Sequence, residues 1–286
     1  MKGFDETMIK NKRIGFIGAG NMAEAFISGL IDKIIPASQI QVSDIDKNRL
    51  NLIHDKYGVH SISNNNELFQ NNDIIILSVK PQVMKTILTE IKPSQLQSPK
   101  LIISIAAGIA IKTIEQYLYD HLDTSAQKLL PVIRVMPNTP ALVQMGMSAF
   151  CGNQFATEKD INTVIDILSA MGKVIAVSED QMDGITAISG SGPAYIFYFI
   201  ESMIQAAENL GFSEDASRLL VLQTAEGALQ LLKQPGANPV TLREQVTSKG
   251  GTTEAAIRVM TEHQVKKTII DAIKNAENRA KELSQM

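Results

Sequence analysis

Cysteine is nearly absent from this sequence of 286 residues, in which Cys151 stands alone. A single cysteine cannot form an internal disulfide, which favours a protein of the reducing cytoplasm over a secreted one. Long apolar runs are also missing, because the run AYIFYFI at 194–200 is far shorter than the ~20 residues of a membrane-spanning helix. The first ten residues, MKGFDETMIK, mix charged and apolar side chains too finely for a signal peptide. We therefore expect a cytoplasmic protein without a membrane partner.

An excess of positive charge is lacking as well. The 27 Lys and Arg residues against 30 Asp and Glu residues give a formal net charge of -3, so the basic footprint of a nucleic-acid-binding protein is missing. The histidines are scattered and form no pair with the spacing of metal ligands; they are His54, His60, His121 and His263. We therefore expect neither a nucleic-acid partner nor a bound metal.

Two regimes follow each other along the chain. Up to about Val177, short runs rich in Ile and Val alternate with amphipathic segments; the runs that read as strands are RIGFIG, QIQVSD, DIIILSV, KLIISIA, PVIRVM and KVIAV. Because these runs are apolar throughout, they predict a parallel sheet covered by helices on both faces. The sequence thus predicts an α/β fold with a doubly wound sheet in residues 1–178.

Residues 179–286 carry a helical pattern instead. The segment AYIFYFIESMIQAAENL ends at Gly211, a suitable C-terminal cap, and Ser213 opens the next helix, which Pro235 closes. The segments TLREQV, TEAAIRVMTEH and VKKTIIDAIKNAENRAKELSQM complete an all-α domain. These helices carry more apolar residues than one small bundle needs, which indicates packing against a second subunit.

The first motif with chemical meaning is RIGFIGAGNMAEAFISGLI. It places Gly18, Gly20 and Ala23 in a G-x-G-x-x-A pattern between a predicted strand and a predicted helix. In this pattern the first glycine permits a tight turn, the second lets the backbone approach a pyrophosphate, and the alanine lets the helix pack closely. The context of strand and helix predicts a dinucleotide-binding domain of the Rossmann type.

The end of the second predicted strand, QVSDIDKNR, bears on the choice of cofactor. An acid such as Asp44 hydrogen-bonds a ribose 2′-hydroxyl and repels a 2′-phosphate. Ser43, Lys47 and Arg49 are close enough in sequence to serve a phosphate instead. The preference between NADH and NADPH stays open at this point.

Three further motifs follow strands or open a helix. LSVKPQ places Val79, Lys80 and Pro81 after one strand, and RVMPNTPALV places Asn138 and Thr139 in a stiff loop after another, where ligands of doubly wound sheets collect. ISGSGPAYIF sets two glycines and a proline at the start of a very apolar helix, at 189–193. Each motif alone is also compatible with an ordinary turn or a close helix crossing.

The stretch VTSKGGTTEAAI, residues 246–257, breaks the rules of a helix interior. Gly250 and Gly251 are adjacent, although each glycine costs roughly 1 kcal/mol within a helix. Hydroxyl residues flank them just before an apolar-periodic run. Glycines that let backbone amides converge at the start of a helix predict a site for a small anion.

Five motifs now stand in one order: G-A-G-N-M-A, S-V-K-P-Q, M-P-N-T-P, S-G-S-G-P-A-Y and S-K-G-G-T-T. In this order and at these separations they resemble the pyrroline-5-carboxylate reductases, the enzymes of the last step of proline biosynthesis. The likeness extends from Ile14 to the final helix, and its last two motifs are the specific ones. The resemblance implies a Rossmann-type domain followed by a helical domain through which two subunits interlock as a homodimer, in some members within a larger ring.

The resemblance also implies an activity: hydride transfer from NADPH or NADH to the carbon–nitrogen double bond of 1-pyrroline-5-carboxylate, giving L-proline. The expected cofactor-binding residues are Gly18, Gly20, Asn21, Met22, Ala23, Ser43, Asp44, Val79, Lys80, Pro81, Asn138 and Thr139. The implied substrate-binding residues are Ser248, Gly250, Gly251, Thr252 and Thr253. In the family the turn's amides hold the substrate carboxylate, and the residue matching Thr253 hydrogen-bonds the ring nitrogen as the catalytic group. Lys249 stands where the family usually has proline, which should loosen the turn.

Two alternatives are weighed against this hypothesis. β-Hydroxyacid dehydrogenases share the layout but carry a lysine on the first long helix, and SGSGPAYIFYFIES contains none. Reduction of a protonated imine gives a neutral amine, so it needs orientation and a hydrogen bond rather than a strong acid. The other alternative is a non-catalytic, dinucleotide-sensing dimer, which explains the first glycine pattern but leaves TSKGGTT without a role.

Overall fold

One sheet forms the centre of the N-terminal half in the computed structural model, which describes residues 9–91, 93, 96 and 98–284. Its strands are β1 (Ile14–Ile17), β2 (Ile40–Ser43), β3 (His60–Ser61), β4 (Ile74–Leu77), β5 (Leu101–Ser104), β6 (Val132–Met136), β7 (Gly146–Gly152) and β8 (Gly172–Ala176). The strand order is β3-β2-β1-β4-β5-β6-β7-β8. The chain adds β2 and β3 on one side of β1 and then crosses to add β4 and the later strands on the other side, so the order of strand addition reverses at β1. In such sheets, ligands bind outside the carboxyl ends of the strands at this reversal.

The central strands β1, β4 and β5 are buried along their whole length, as their apolar sequences predict, whereas β3 and β8 at the sheet edges are mostly exposed. All four residues of β4 are buried; Ile74 and Ile76 pack into one hydrophobic cluster, while Ile75 and Leu77 pack into another. Alternate residues of a strand point to opposite faces, so the two clusters lie on the two sides of the sheet. The predicted doubly wound fold is confirmed.

Helices connect and cover the strands. Those of the N-terminal half are α1 (Asn21–Lys33), α2 (Lys47–Tyr57), α3 (Asn65–Asn71), α4 (Met84–Glu90), α5 (Ile111–Leu118), α6 (Thr124–Gln127), α7 (Glu158–Ser169) and α8 (Met182–Ile185). The fully buried Phe26 and Ile27 of α1 join the first cluster, and Leu118 of α5 joins the second. Burial of these side chains fixes α1 on the sheet, with its first turn directly after β1.

The sheet is not parallel throughout. β7 pairs with β6 in antiparallel register, with Arg134 opposite Cys151 and Met136 opposite Ala149, and pairs with β8 in parallel. Neither β7 nor the short β3 was predicted from the sequence, and the prediction of a parallel sheet is wrong at the β6–β7 pair. The segment GMSAFCG lacks the Ile and Val run of the other strands, and a short loop is enough to join antiparallel strands.

The chain after Gly190 is helical, and its part up to Asn275 forms a separate unit. The helices after Gly190 are α9 (Gly192–Asn209), α10 (Glu214–Leu232), α11 (Pro239–Gln245), α12 (Thr252–Glu262) and α13 (Val265–Ser284). As predicted, the hydroxyl of Ser213 caps α10 by accepting a hydrogen bond from the Ala216 amide at 3.4 Å, and Gly211 adopts a left-handed φ of 93° after α9. Among the described helices, none is both long and apolar enough to cross a membrane.

The division between the units differs from the predicted boundary at residue 178. The first compact unit extends to Gly190 and takes in the chain again from Ala276, and the second comprises Ser191–Asn275. The segment after residue 178 belongs to the first unit because it is anchored there. A carboxylate oxygen of Glu179 accepts a hydrogen bond from the Ile111 amide at 2.7 Å, and the Met182 side chain is fully buried in the second cluster. The predicted boundary at residue 178 was placed where the strand pattern ends in the sequence, whereas the extent of a compact unit depends on which segments pack together.

Candidate active site

The glycine loop between β1 and α1 has the geometry of a phosphate cradle. Gly18 adopts a φ of 102°, and a Cβ there would lie 2.3 Å from the carbonyl oxygen of Ser78, so only glycine fits. A Cβ on Gly20 would meet no atom within 4 Å, so the backbone at this position faces open space. Gly20 begins α1 without a side-chain cap, and Ala23 is fully buried beneath the helix. The amides of the first turn are therefore available to an anion.

The neighbouring residues of this loop fit a dinucleotide. Asn21 is exposed, and the half-buried Met22 packs against the first hydrophobic cluster. Val79 follows β4, with a methyl 3.0 Å from the position that a Gly18 Cβ would take, so the ends of β1 and β4 meet here. Lys80 is exposed, and Pro81 begins a short 3-10 helix that ends at Val83. These residues follow the carboxyl ends of β1 and β4, the edge at which ligands of doubly wound sheets bind.

The end of β2 is fixed to this loop. One carboxylate oxygen of Asp44 accepts a hydrogen bond from the Ala19 amide at 2.7 Å, and the other accepts one from the Asp46 amide at 2.9 Å. Ser43 is buried, and its hydroxyl donates to the Asn65 side chain at 2.7 Å. The structure thus brings Asp44 to the glycine loop, whereas the hydroxyl of Ser43 is engaged within the protein.

A charged cluster that was not predicted from the sequence lies beside the same loop. Glu24, in the first turn of α1, accepts hydrogen bonds from the Arg49 guanidinium, from the Lys56 ammonium at 2.8 Å and from the Tyr57 hydroxyl at 3.1 Å. Burial raises the pKa of Glu24, but the hydrogen bonds from Lys56, Arg49 and Tyr57 outweigh it, and the pKa is lowered overall. Glu24 and Arg49 stand 25 positions apart, so no local pattern connects them.

In the loop after β6, Asn138 is buried and Thr139 is exposed. The amide group of Asn138 is buried: its oxygen accepts from the Met147 amide at 2.8 Å, and its nitrogen donates to the Ser189 carbonyl at 3.1 Å. Thr139 is exposed at the start of a 3-10 helix that runs to Val143. Asn138 therefore ties together three segments of the protein, and Thr139 is the one of the two that presents a hydroxyl to solvent.

The motif at 189–193 brings Gly190 close to the side chain of Met136. Thr186–Gly190 form a π-helical turn, and α9 begins at Gly192 with Pro193 in its first turn. A Cβ on Gly190 would lie 2.4 Å from the terminal methyl of Met136. A side chain at residue 190 would therefore displace the flexible end of the Met136 side chain.

The Ser248–Thr253 turn forms the start of α12 in the helical unit. Gly250 has a φ of 74°, and the Gly251 amide donates to the Ser248 carbonyl at 3.0 Å. A Cβ on Gly251 would lie 2.5 Å from the Ser248 hydroxyl oxygen, so a side chain there would displace this hydroxyl. The helix begins without a side-chain cap, and Thr253 is half-buried in its first turn.

One amide of this turn is already bound to a carboxylate. The Gly250 amide donates to a carboxylate oxygen of Glu254 at 2.8 Å. In the described part of the chain, the hydroxyls of Thr252 and Thr253 hydrogen-bond to no protein group. The turn therefore combines an amide that donates to a carboxylate, a helix N-terminus and two available hydroxyls.

Other reactive side chains are not grouped near these residues. Within the described ranges, three or more potential metal ligands nowhere come together. The ring of His54 hydrogen-bonds the Val59 carbonyl at 2.9 Å, and His121 is exposed beside Asp120. Cys151 is buried, which raises the pKa of its thiol to about 11, and the charge of Glu179 adds to this effect. The thiol is therefore protonated at neutral pH and a poor nucleophile.

Two family models match the chain. Residues 179–283 match the model described as pyrroline-5-carboxylate reductase dimerisation, and residues 13–108 match that described as NADP oxidoreductase coenzyme F420-dependent. The first match contains the Ser248–Thr253 turn, and the second contains the glycine loop and the charged cluster.

Similar proteins agree with these matches over nearly the whole chain. Pyrroline-5-carboxylate reductase from Pseudomonas aeruginosa is 38% identical over 274 residues, which are 96% of this chain and 97% of that protein. Among solved structures, a pyrroline-5-carboxylate reductase from Coxiella burnetii is 37% identical with a TM-score of 0.85, covering 97% of this chain and 100% of the other. The pyrroline carboxylate reductase from Plasmodium falciparum with NADP bound is 32% identical with a TM-score of 0.85, covering 96% and 99%. From its motifs, its fold and this likeness, the chain belongs to the pyrroline-5-carboxylate reductase family.

Proposed function

We infer that this protein reduces 1-pyrroline-5-carboxylate to L-proline, the last step of proline biosynthesis, with NADPH or NADH. When bound, the nicotinamide supplies the hydride for the carbon–nitrogen double bond. The chain's own residues bind and orient the reactants. The glycine loop at Gly18 and Gly20 holds the pyrophosphate, and Asp44 and the residues after β4 line the riboses.

The observation that carries the substrate assignment is the Ser248–Thr253 turn. Its Gly250 amide already donates to the carboxylate of Glu254, so the turn supports recognition of a second carboxylate, that of the substrate. The N-terminus of α12 adds the positive end of a helix dipole and has no side-chain cap to satisfy it. A small cyclic imino acid offers the matching anion.

Thr253 is the proposed catalytic residue. Its hydroxyl has no partner among the described residues and lies one position after the start of α12, within the same turn as the glycines. The hydroxyl oxygen accepts a hydrogen bond from the N–H of the protonated imine, and this bond orients the ring while the imine becomes a neutral amine. No proton has to be delivered to the product nitrogen by a strong acid, which agrees with the absence of lysine from the stretch SGSGPAYIFYFIES.

The helical unit is the proposed dimer interface. α9 has no buried residue and exposes Ile196, Phe197, Tyr198 and Phe199. A second copy covering these residues removes them from water, and the matched dimerisation model spans the same helices. A larger ring assembled from such dimers is part of this proposal. We place the protein in the cytoplasm, which suits its single, buried cysteine.

Oxidation of the cofactor tests the reaction. Purified protein is mixed with 1-pyrroline-5-carboxylate and either NADPH or NADH, and absorbance is followed at the reduced-nicotinamide band. The six-membered imine and a 3-hydroxy acid pair serve as comparison substrates. Activity confined to cyclic imines supports the reductase, activity on the hydroxy acid supports the dehydrogenase alternative, and cofactor binding without turnover supports the sensing dimer.

Thr253→Ala tests the role of the hydroxyl. We expect kcat/KM for the imine to fall, corresponding to about 1–3 kcal/mol of transition-state stabilisation, because the hydrogen bond to nitrogen is lost. Thr253→Ser keeps the hydroxyl and should retain most of the activity. Equal kinetics in the wild type and Thr253→Ala would remove Thr253 from the mechanism while leaving the reaction itself intact.

A further inference from the structure

The charged cluster at Glu24 lies directly against the loop that holds the cofactor. The Glu24 side chain is only 14% exposed and that of Arg49 only 21%, so their ion pair is largely shielded from solvent. Lys56 and Tyr57 donate to the other carboxylate oxygen of Glu24. One carboxylate thus engages both cationic groups that α2 brings to this edge.

Arg49 and Asp44 both hydrogen-bond to the backbone of Ala19 in the glycine loop, one at its carbonyl and the other at its amide. The Arg49 Nε donates to the Ala19 carbonyl at 2.6 Å, and the Ala19 amide donates to Asp44 at 2.7 Å. Ala19 stands between the two glycines of the motif. Arg49 therefore lies on the same short stretch of backbone as the acid expected to meet the ribose 2′-hydroxyl.

Folds of this kind accommodate a 2′-phosphate when an arginine is available near the end of the second strand. Arg49 is in the right place, but its charge is balanced by Glu24, and its Nε is used by Ala19. Ser43 is engaged by Asn65, and Lys47 is exposed to solvent. An incoming phosphate must therefore compete with Glu24 for Arg49 and Lys56.

We propose that Glu24 is a specificity-determining residue that lowers the affinity for a 2′-phosphorylated cofactor by holding Arg49 on the glycine loop and cancelling its charge. The proposal rests on the proposed function, because it concerns the cofactor of that reaction. Replacing Glu24 by glutamine keeps the shape of the side chain and leaves Arg49 and Lys56 with uncompensated positive charge. The affinity for a 2′-phosphate should then rise relative to that for a 2′-hydroxyl.

Calorimetric titration measures this without turnover. The probes are 2′,5′-ADP and 5′-AMP, followed by NADP⁺ and NAD⁺, each titrated into the full-length wild type and Glu24→Gln. We expect Glu24→Gln to tighten binding of the 2′-phosphorylated probes about tenfold relative to their partners, the scale of a hydrogen bond to a charged group. The NADPH to NADH ratio of kcat/KM should shift in the same direction.

Two further variants separate specificity from a structural role. In the double variant Glu24→Gln with Arg49→Gln, the gain should disappear because the released guanidinium is gone. Glu158→Gln removes the same charge from the first turn of α7 and should leave all four affinities unchanged. Thermal unfolding of every variant is recorded alongside, and Glu24→Ala, which also removes the charge and should give the same gain, replaces Glu24→Gln if the latter fails to fold.

The outcomes are distinct. A gain for the 2′-phosphorylated probes that depends on Arg49 supports the proposal. An unchanged ratio between the two kinds of probe, with or without a lower melting temperature, overturns it and leaves Glu24 as a structural residue of the loop. Failure of the wild type to bind any of the four probes, or to oxidise cofactor with the imine, would instead contradict the proposed function.

Discussion

At the scale of single residues, Glu254 occupies a backbone donor of the turn proposed to bind the substrate. Its carboxylate accepts from the Gly250 amide at 2.8 Å, in the turn proposed to bind the carboxylate of the imine. The same side chain is an acid in the first turn of α12, where a negative charge stabilises the helix. Glu254 therefore stabilises the turn, and in the proposed function its charge opposes the anionic substrate.

Glu254→Gln should strengthen substrate binding. We expect KM for 1-pyrroline-5-carboxylate to fall about two- to fivefold, because a charge at the helix N-terminus no longer opposes the substrate, while kcat stays the same. Steady-state kinetics measure both constants. Glu262→Gln, at the last residue of the same helix, is the control for the change in net charge. A KM that does not respond would assign Glu254 to capping alone.

At the scale of elements, the β1–α1 loop assigns different tasks to its two glycines. A Cβ on Gly18 would collide with the Ser78 carbonyl at 2.3 Å, and the φ of 102° is unfavourable for any other residue. A Cβ on Gly20 would protrude into open space at the start of α1. The fold thus requires the first glycine, and we expect the second to serve the approach of the ligand.

This difference makes Gly18→Ala and Gly20→Ala a matched pair. Gly18→Ala should lower the free energy of unfolding by about 2–4 kcal/mol, because the backbone must move to relieve the clash. Gly20→Ala should unfold like the wild type yet bind NADP⁺ and NAD⁺ more weakly, because its methyl group occupies the space of the phosphates. Denaturant unfolding and calorimetric titration measure the two effects. Equal stability of both variants would contradict the tasks assigned to the glycines.

At the scale of the whole molecule, the helical unit leaves a wide apolar surface uncovered. A groove in this unit is lined by Phe199, Ile257, Met260, Ile270 and Arg243. The side chains of Phe199 and Ile270 are about half exposed. Monomeric proteins seldom expose contiguous apolar surface of this extent. Ile270→Glu should therefore convert the proposed dimer into monomers, because dimerisation would bury an unpaired charge.

Sedimentation velocity at micromolar concentration tests this expectation. The wild type should sediment as a dimer or a larger assembly, and Ile270→Glu as a monomer. Leu129→Glu adds the same charge at an exposed apolar residue of the first unit and should sediment like the wild type. An Ile270→Glu protein that sediments with the wild type would place the interface on another surface.

Much of this molecule was predictable because its signals are local. Buried strands such as β4 show as unbroken apolar runs, Ser213 and Gly211 mark helix ends, and the glycine pattern lies directly between a strand and a helix. In each case, residues adjacent in sequence decide the outcome through backbone conformation or side-chain period. The five ordered motifs likewise sufficed to predict the family, which the similar proteins confirm.

Packing between distant segments decided the rest. The motif around Asn138 gave no sign that both ends of its amide hydrogen-bond to the backbone, at Met147 and Ser189. β7 joins the sheet antiparallel to β6 although its own sequence is weakly strand-like. The first unit extends to Gly190 because side chains after residue 178 are anchored on it.

The sequence by itself determined the doubly wound sheet, the two glycine turns and the family, since each depends on neighbouring residues and on the spacing of apolar side chains. Only the tertiary structure decided which charges meet. Glu24 finds Arg49 and Lys56 because α1 and α2 pack side by side, and Asp44 is held on Ala19 because β2 ends beside β1. Partners 25 or more positions apart leave no periodic trace, because their distance is set by the packing of whole elements on the sheet.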